Sequence, residues 1–78
     1  MPGKLSPDDV RPGTYRHFDG RTFVVESLHN KFIDGHWERE DGAGQTVSMS
    51  IAFLTSLVVN RRGTWVPRFL PAPVAQRA

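Results

Sequence analysis

The sequence predicts a mainly β domain: a small antiparallel barrel of about five strands, with one short helical turn before the last strands. Three observations predict it. Runs rich in β-branched and aromatic residues recur along the chain. Gly-containing turns separate them roughly every eight to ten residues. One apolar segment with helical spacing comes just before the last run.

The first eleven residues read as a lead-in turn. Ser6 supplies a capping hydroxyl, Pro7 suits the first helical position, and Asp8 and Asp9 put negative charge at a helix N-terminus. Pro12-Gly13 stops the helix after one turn. Residues 12–70 are expected to form the barrel domain, and residues 71–78, with Pro71 and Pro73, a disordered tail.

The clearest local signal is Asp19-Gly20 between the runs 14–18 and 21–26, which reads as a two-residue hairpin turn. Such a turn pairs His17 with Thr22, Arg16 with Phe23 and Tyr15 with Val24. It puts Phe18, Phe23 and Val25 on one face and Tyr15 and Val24 on the other, so both faces carry apolar groups, as in a strongly bent barrel. Asn30-Lys31 turns the chain again. Asp34-Gly35 reads as a further tight turn, leaving a strand at 36–40. Asp41-Gly42-Ala43-Gly44 is the next turn, and 45–49 a short strand. In 50–57, Ile51, Leu54 and Leu57 recur at helical spacing behind a capping Ser50, and a strand follows at 57–59. Residues 60–63 form a loop. Residues 64–69 are the last strand, with Pro67 marking an edge or a bulge. A helical turn just before the last strand makes an SH3-like barrel the expected architecture.

Composition narrows the function. A chain of 78 residues is one domain, and with 38% apolar residues it has ordinary globular composition. A core this small is marginal and leans on a partner. The net charge of +2 creates no strong field toward nucleic acid or an anionic membrane. The absence of cysteine excludes a disulfide framework, a Cys-based zinc site and a thiol nucleophile. The start has no apolar signal segment, and the most apolar stretch, 51–59, is interrupted by Thr55 and Ser56 and too short to span a bilayer. A cytoplasmic protein without membrane contact is expected.

Two segments carry a family resemblance. Gly13-Thr14-Tyr15-Arg16-His17-Phe18-Asp19-Gly20, with Phe23-Val24-Val25 following, resembles the opening of a small bacterial domain-of-unknown-function family that begins Gly-x-Tyr-Arg-His-aromatic-x-Gly. Phe53-Leu54 and Val66-Pro67-Arg68-Phe69 fill the places of that family's apolar turn and closing hairpin. The chain departs at 46–50, where Thr-Val-Ser-Met-Ser stands in place of a Trp-Val-Arg-Pro segment, and across 28–40. The resemblance implies an SH3-like barrel and no enzyme activity.

The residues themselves carry no catalytic constellation. His17, His29 and His36 lie 12 and 7 positions apart and match no metal-ligand spacing, so no metal and no cofactor are expected. His17 beside Asp19 reads as a turn histidine. No serine sits in a nucleophile elbow, and Glu38, Glu40 and Asp41 read as a solvated edge. Charge is unevenly spread: residues 21–44 are net −2, whereas 45–78 hold four arginines and no acid. The favoured expectation is a non-catalytic module that binds a protein partner through an aromatic groove or an open strand edge, as an accessory subunit or phage-type regulator. Its candidate binding residues are Tyr15, His17, Trp37, Arg61, Arg62, Trp65 and Arg68. A weak nucleic-acid binder using the C-terminal arginines with an aromatic is the alternative, and a small enzyme is a third.

Overall fold

The computed structural model describes residues 5–72. A single 3-10 turn, Pro7–Asp9, leads in, with the Ser6 hydroxyl accepting from the Asp8 N–H. Seven strands follow: β1 Gly13–His17, β2 Thr22–His29, β3 Phe32–Arg39, β4 Gly42–Ser50, β5 Leu57–Val59, β6 Trp65–Pro67 and β7 Phe69–Pro71. A one-turn helix, α1 Ile51–Leu54, separates β4 from β5. The fold is mainly β, as the sequence predicts. The strands make two antiparallel sheets, of five in the order β4-β3-β2-β1-β7 and of two, β5-β6, rather than one barrel of about five strands. No helix among the described residues is long and apolar enough to cross a membrane.

The first hairpin turns differently from its sequence reading. Arg16 pairs with Thr22 and Tyr15 with Phe23. The His17 N–H donates to the Arg21 carbonyl, and the Gly20 N–H to the His17 carbonyl, each at 2.8 Å. The loop is therefore three residues long, a turn followed by Gly20 at φ +98°. Asp19 favours this loop, because its carboxylate accepts from both the Arg21 N–H and its Nε. A shift of one residue exchanges the faces of a strand. Tyr15, His17, Phe23 and Val25 consequently share the buried face, and Phe18 is exposed.

Asn30-Lys31 is a two-residue turn, with Asn30 at φ +60° and His29 opposite Phe32. The predicted turn at Asp34-Gly35 is instead the middle of β3. A Cβ on Gly35 would lie 2.2 Å from the Val24 carbonyl oxygen and 2.7 Å from the Phe23 ring. Glycine stands there to let the ring in, not to turn the chain. Extra residues interrupt the ladder twice: at Glu26 in β2, and at Gly44-Gln45 opposite Trp37.

The Ser50 hydroxyl caps α1, accepting from the Phe53 N–H. The predicted last strand divides at Arg68. Pro67 brings no N–H to a ladder, and the chain changes sheets there. The Arg68 N–H donates to the Ser56 carbonyl, while its carbonyl accepts from the Phe18 N–H. β6 pairs with β5 and β7 with β1. Pro71 belongs to β7 rather than to a tail, and the Ala72 N–H donates to the Thr14 carbonyl. The rest of the predicted tail lies outside the described residues. The core gathers Leu5 and Val10 from the lead-in, Tyr15, Phe23, Val25 and Ile33 from the sheet, then Leu54 and Phe69.

Candidate functional site

Of the predicted binding residues, Tyr15 and His17 do structural work. Tyr15 is buried, and its hydroxyl donates to the Arg11 carbonyl at 2.8 Å and accepts the Arg11 N–H at 2.9 Å. It fastens the lead-in to β1. The His17 ring packs against Phe18, Trp37 and Phe69 with centroids 4.5, 5.2 and 4.8 Å away. Its Nδ1 is buried and lies 2.8 Å from Asp19 Oδ1, without the alignment of a formed hydrogen bond. Asp19 is pulled down to about 2, chiefly by the Arg21 N–H donating to it, with His17 and the Arg21 side chain adding. Trp37 is half-buried, edge-on to Phe23, with the Arg21 guanidinium 4.2 Å above its ring.

The C-terminal basic residues do not form one patch with Trp65. Arg68 is held by its neighbours: its guanidinium sits 4.3 Å over the Phe53 ring and its Nε donates to the Ser56 hydroxyl. Arg61 and Arg62 lie in the β5–β6 turn, which the Asn60 side chain closes by accepting two backbone N–H groups. They line a cleft of about 370 Å³ with Phe18, Asp19 and Asn60. Trp65, 65% exposed, pairs with Val59 and does not line that cleft.

A second cleft, which no sequence motif announces, opens between the 3-10 turn, the β2–β3 hairpin and the start of α1. It encloses about 650 Å³. Val10, Leu28, Phe32 and Ile51 give it apolar walls, and Phe32 is 54% exposed. Arg11 and Lys31 stand at its rim, and neither is ion-paired among the described residues. Its walls come from segments about twenty residues apart in sequence, and the only local hint is the run of exposed apolar residues flanking Asn30.

The outer face of β2, β3 and β4 carries the polar chemistry. His36 pairs with Glu26 through Nδ1, and His29 Nε2 lies 2.7 Å from Asp34 Oδ2. Asp34 is held below its ordinary value, first by the Ser48 hydroxyl donating to it and then by His29. His29 also meets the Ser27 hydroxyl at 3.0 Å, but through the same Nε2 that faces Asp34. A relay needs nucleophile and orienting carboxylate on opposite ring nitrogens, so this trio does not activate Ser27. No group of three or more His, Cys, Asp or Glu side chains among the described residues is arranged to hold a metal ion.

Comparison with known proteins adds no family: no protein-family model, no curated protein and no solved structure matches the chain.

Proposed function

We propose that the chain is a non-catalytic interaction module, an SH3-like scaffold left partly open, that docks on a protein partner. The cleft of Val10, Leu28, Phe32 and Ile51 carries this reading. It is concave and apolar, with a few charged groups at its rim, as in sites that take a hydrophobic anchor. The unpaired Arg11 and Lys31 outnumber Asp8, the one acid in its lining, and favour carboxylates beside that anchor. The occupant is a short peptide segment with one or two large apolar side chains flanked by acidic residues, met in the cytoplasm. Selection from a displayed random dodecamer library tests it. Recovered peptides should share an apolar-acidic pattern, bind more weakly as salt rises, and lose binding to Phe32→Ala, whose side chain is largely exposed and whose loss leaves the fold intact. Peptides without that pattern, or binding that survives Phe32→Ala, would overturn the reading.

One observation favours a second reading. Arg61 and Arg62, neither ion-paired among the described residues, share a cleft with exposed Phe18. Stacking on a ring beside two guanidinium groups suits single-stranded nucleic acid. Asp19 in the same cleft opposes it. A labelled oligothymidine titrated at low salt should bind and be lost on Arg61→Glu with Arg62→Glu if this reading holds. A flat titration removes it.

A further inference from the structure

We infer that two copies of this chain associate through β4, joining their five-stranded sheets edge to edge across a two-fold axis at Ser48. The inference does not rest on the apolar cleft. β4 is the outermost strand and pairs with β3 alone. Natural edges are usually guarded by charges or proline. Residues 42–50 contain neither. Thr46, Val47 and Ser48 are all exposed, so this stretch is open on both faces as well as along its edge. The irregularity at Gly44-Gln45 guards the first half of the strand and leaves 46–50 as a regular ladder.

The backbone of this stretch is set up for one register. In an antiparallel ladder the hydrogen-bonding groups of successive residues point alternately to the two sides. The Ile51 N–H donates to the Lys31 carbonyl. Residues 47 and 49 therefore also turn their N–H and C=O toward β3. The N–H and C=O of Thr46 and Ser48 and the N–H of Ser50 point to the open edge, while the Ser50 carbonyl, at the N-cap, takes the first bond of α1. Centring a two-fold axis on Ser48 sets Ser48 against its own copy and Thr46 against Ser50. Ser48 then exchanges two hydrogen bonds with its copy, and each Ser50 N–H meets a Thr46 carbonyl.

The side chains agree with that register. A two-fold interface must be complementary to itself. Thr46-Val47-Ser48-Met49-Ser50 reads the same in polarity from either end. Val47 falls opposite Met49 of the second copy at the closely spaced pairs, where side chains touch best. Both lie on the core side of the sheet, Met49 already packed against the core and Val47 36% exposed. No charged residue lies in either strand segment to repel its mate. Asp34, one strand inside, is already engaged by Ser48 and His29. A partner strand of unrelated sequence would not meet this symmetry, and for that reason we assign the edge to a second copy. A contact built on five residues per chain is small, so the dimer is weak and concentration-dependent.

Sedimentation equilibrium of the full chain from micromolar to millimolar concentration tests the inference. The weight-average mass should climb toward that of a dimer. Ser48→Lys brings two like charges directly opposite each other, and it should weaken dimerisation at least about tenfold while the far-ultraviolet dichroism is kept. Amide exchange on the wild-type chain gives a readout that needs no variant. Raising the concentration should slow exchange at Ser48 and Ser50 and leave Val47 and Met49, already bonded to β3, unchanged. A chain that stays monomeric at millimolar concentration would overturn the inference, as would a dimer untouched by Ser48→Lys or new protection confined to another strand. Arg11→Glu, in the lead-in and outside β3 and β4, should weaken binding of the acidic peptides without altering the dimer, so failure of one proposal is separable from failure of the other.

Discussion

Gly35→Ala asks whether β3 runs straight past the core. The added methyl would meet the Val24 carbonyl oxygen at 2.2 Å and two Phe23 ring carbons at 2.7 and 2.8 Å. An ordinary carbon–oxygen contact needs roughly 3.2 Å or more, so some part of the sheet must move by about 1 Å. The ring has no room to retreat: Phe23 is fully buried, 5.0 Å from Trp37 and 5.8 Å from Phe69. The carbonyl is fixed by its strand. Overpacking costs about 1–3 kcal/mol, and a clash with backbone belongs at the upper end, about 3 kcal/mol. A domain of this size holds only about 5 kcal/mol in total. With a urea slope of about 1 kcal/mol/M, the midpoint should fall by roughly 3 M, and the melting temperature by about 12–24 °C. Fluorescence of Trp37, which lies edge-on to Phe23, reports the transition. Gly44→Ala is the control: its nearest atoms are the Trp37 carbonyl at 3.2 Å and the flexible Arg39 side chain, so it should lose less than about 1 kcal/mol. A Gly35→Ala midpoint within error of wild type would refute the reasoning, because it would mean that neither the Val24 carbonyl nor the Phe23 ring crowds position 35.

Three further outcomes follow from the same contacts. Tyr15→Phe removes the hydroxyl that both donates to and accepts from Arg11, and should cost about 1–3 kcal/mol by chemical denaturation, with faster proteolysis in the lead-in. Ser50→Ala removes the cap of α1 and should cost about 1 kcal/mol by the same measurement. The Asp19 carboxyl, lowered from 3.8 to about 2, contributes stability that is full above its unfolded value and is lost as pH falls through the folded one. The whole shift would equal roughly 2.4 kcal/mol, but the side chain is more than a third exposed, so screening leaves about 1 kcal/mol. Asp19→Asn should therefore flatten the stability curve between about pH 4 and 2.

Much of the fold is legible in the sequence where one local rule decides. Ser50 as a cap, Asn30-Lys31 as a turn, and residues 57–59 as a strand each follow from chemistry within a few positions. The errors arise where two local rules compete. Asp-Gly suits either a two-residue turn or a three-residue loop with glycine last. The side chain of Asp19, by capturing Arg21, selects the second, and the faces of β1 exchange. The glycine of Asp34-Gly35 answers to Phe23, ten or more positions away, so no window around it shows its purpose. The same limit hides the apolar cleft. Exposure of Arg61 and Arg62 follows from their loop, but Val10, Leu28 and Ile51 become neighbours only through long-range pairing.

Where the polar groups are spent says where function resides. Each histidine is tied to a carboxylate: His17 to Asp19, His29 to Asp34, His36 to Glu26. Arg68 lies over Phe53 and Arg21 over Trp37. These groups hold loops and strands in place. The apolar side is the reverse. Leu28 and Phe32 stay exposed beside one cleft, Leu57, Val59 and Trp65 on the β5–β6 hairpin, and Val47 on the open edge. Scattered exposure of this kind is ordinary in any protein. Here it gathers at concave or unpaired backbone, where another chain gains both apolar burial and hydrogen bonds. Polar side chains are committed to the scaffold and apolar surface is left uncommitted, a division that suits the binding role proposed above.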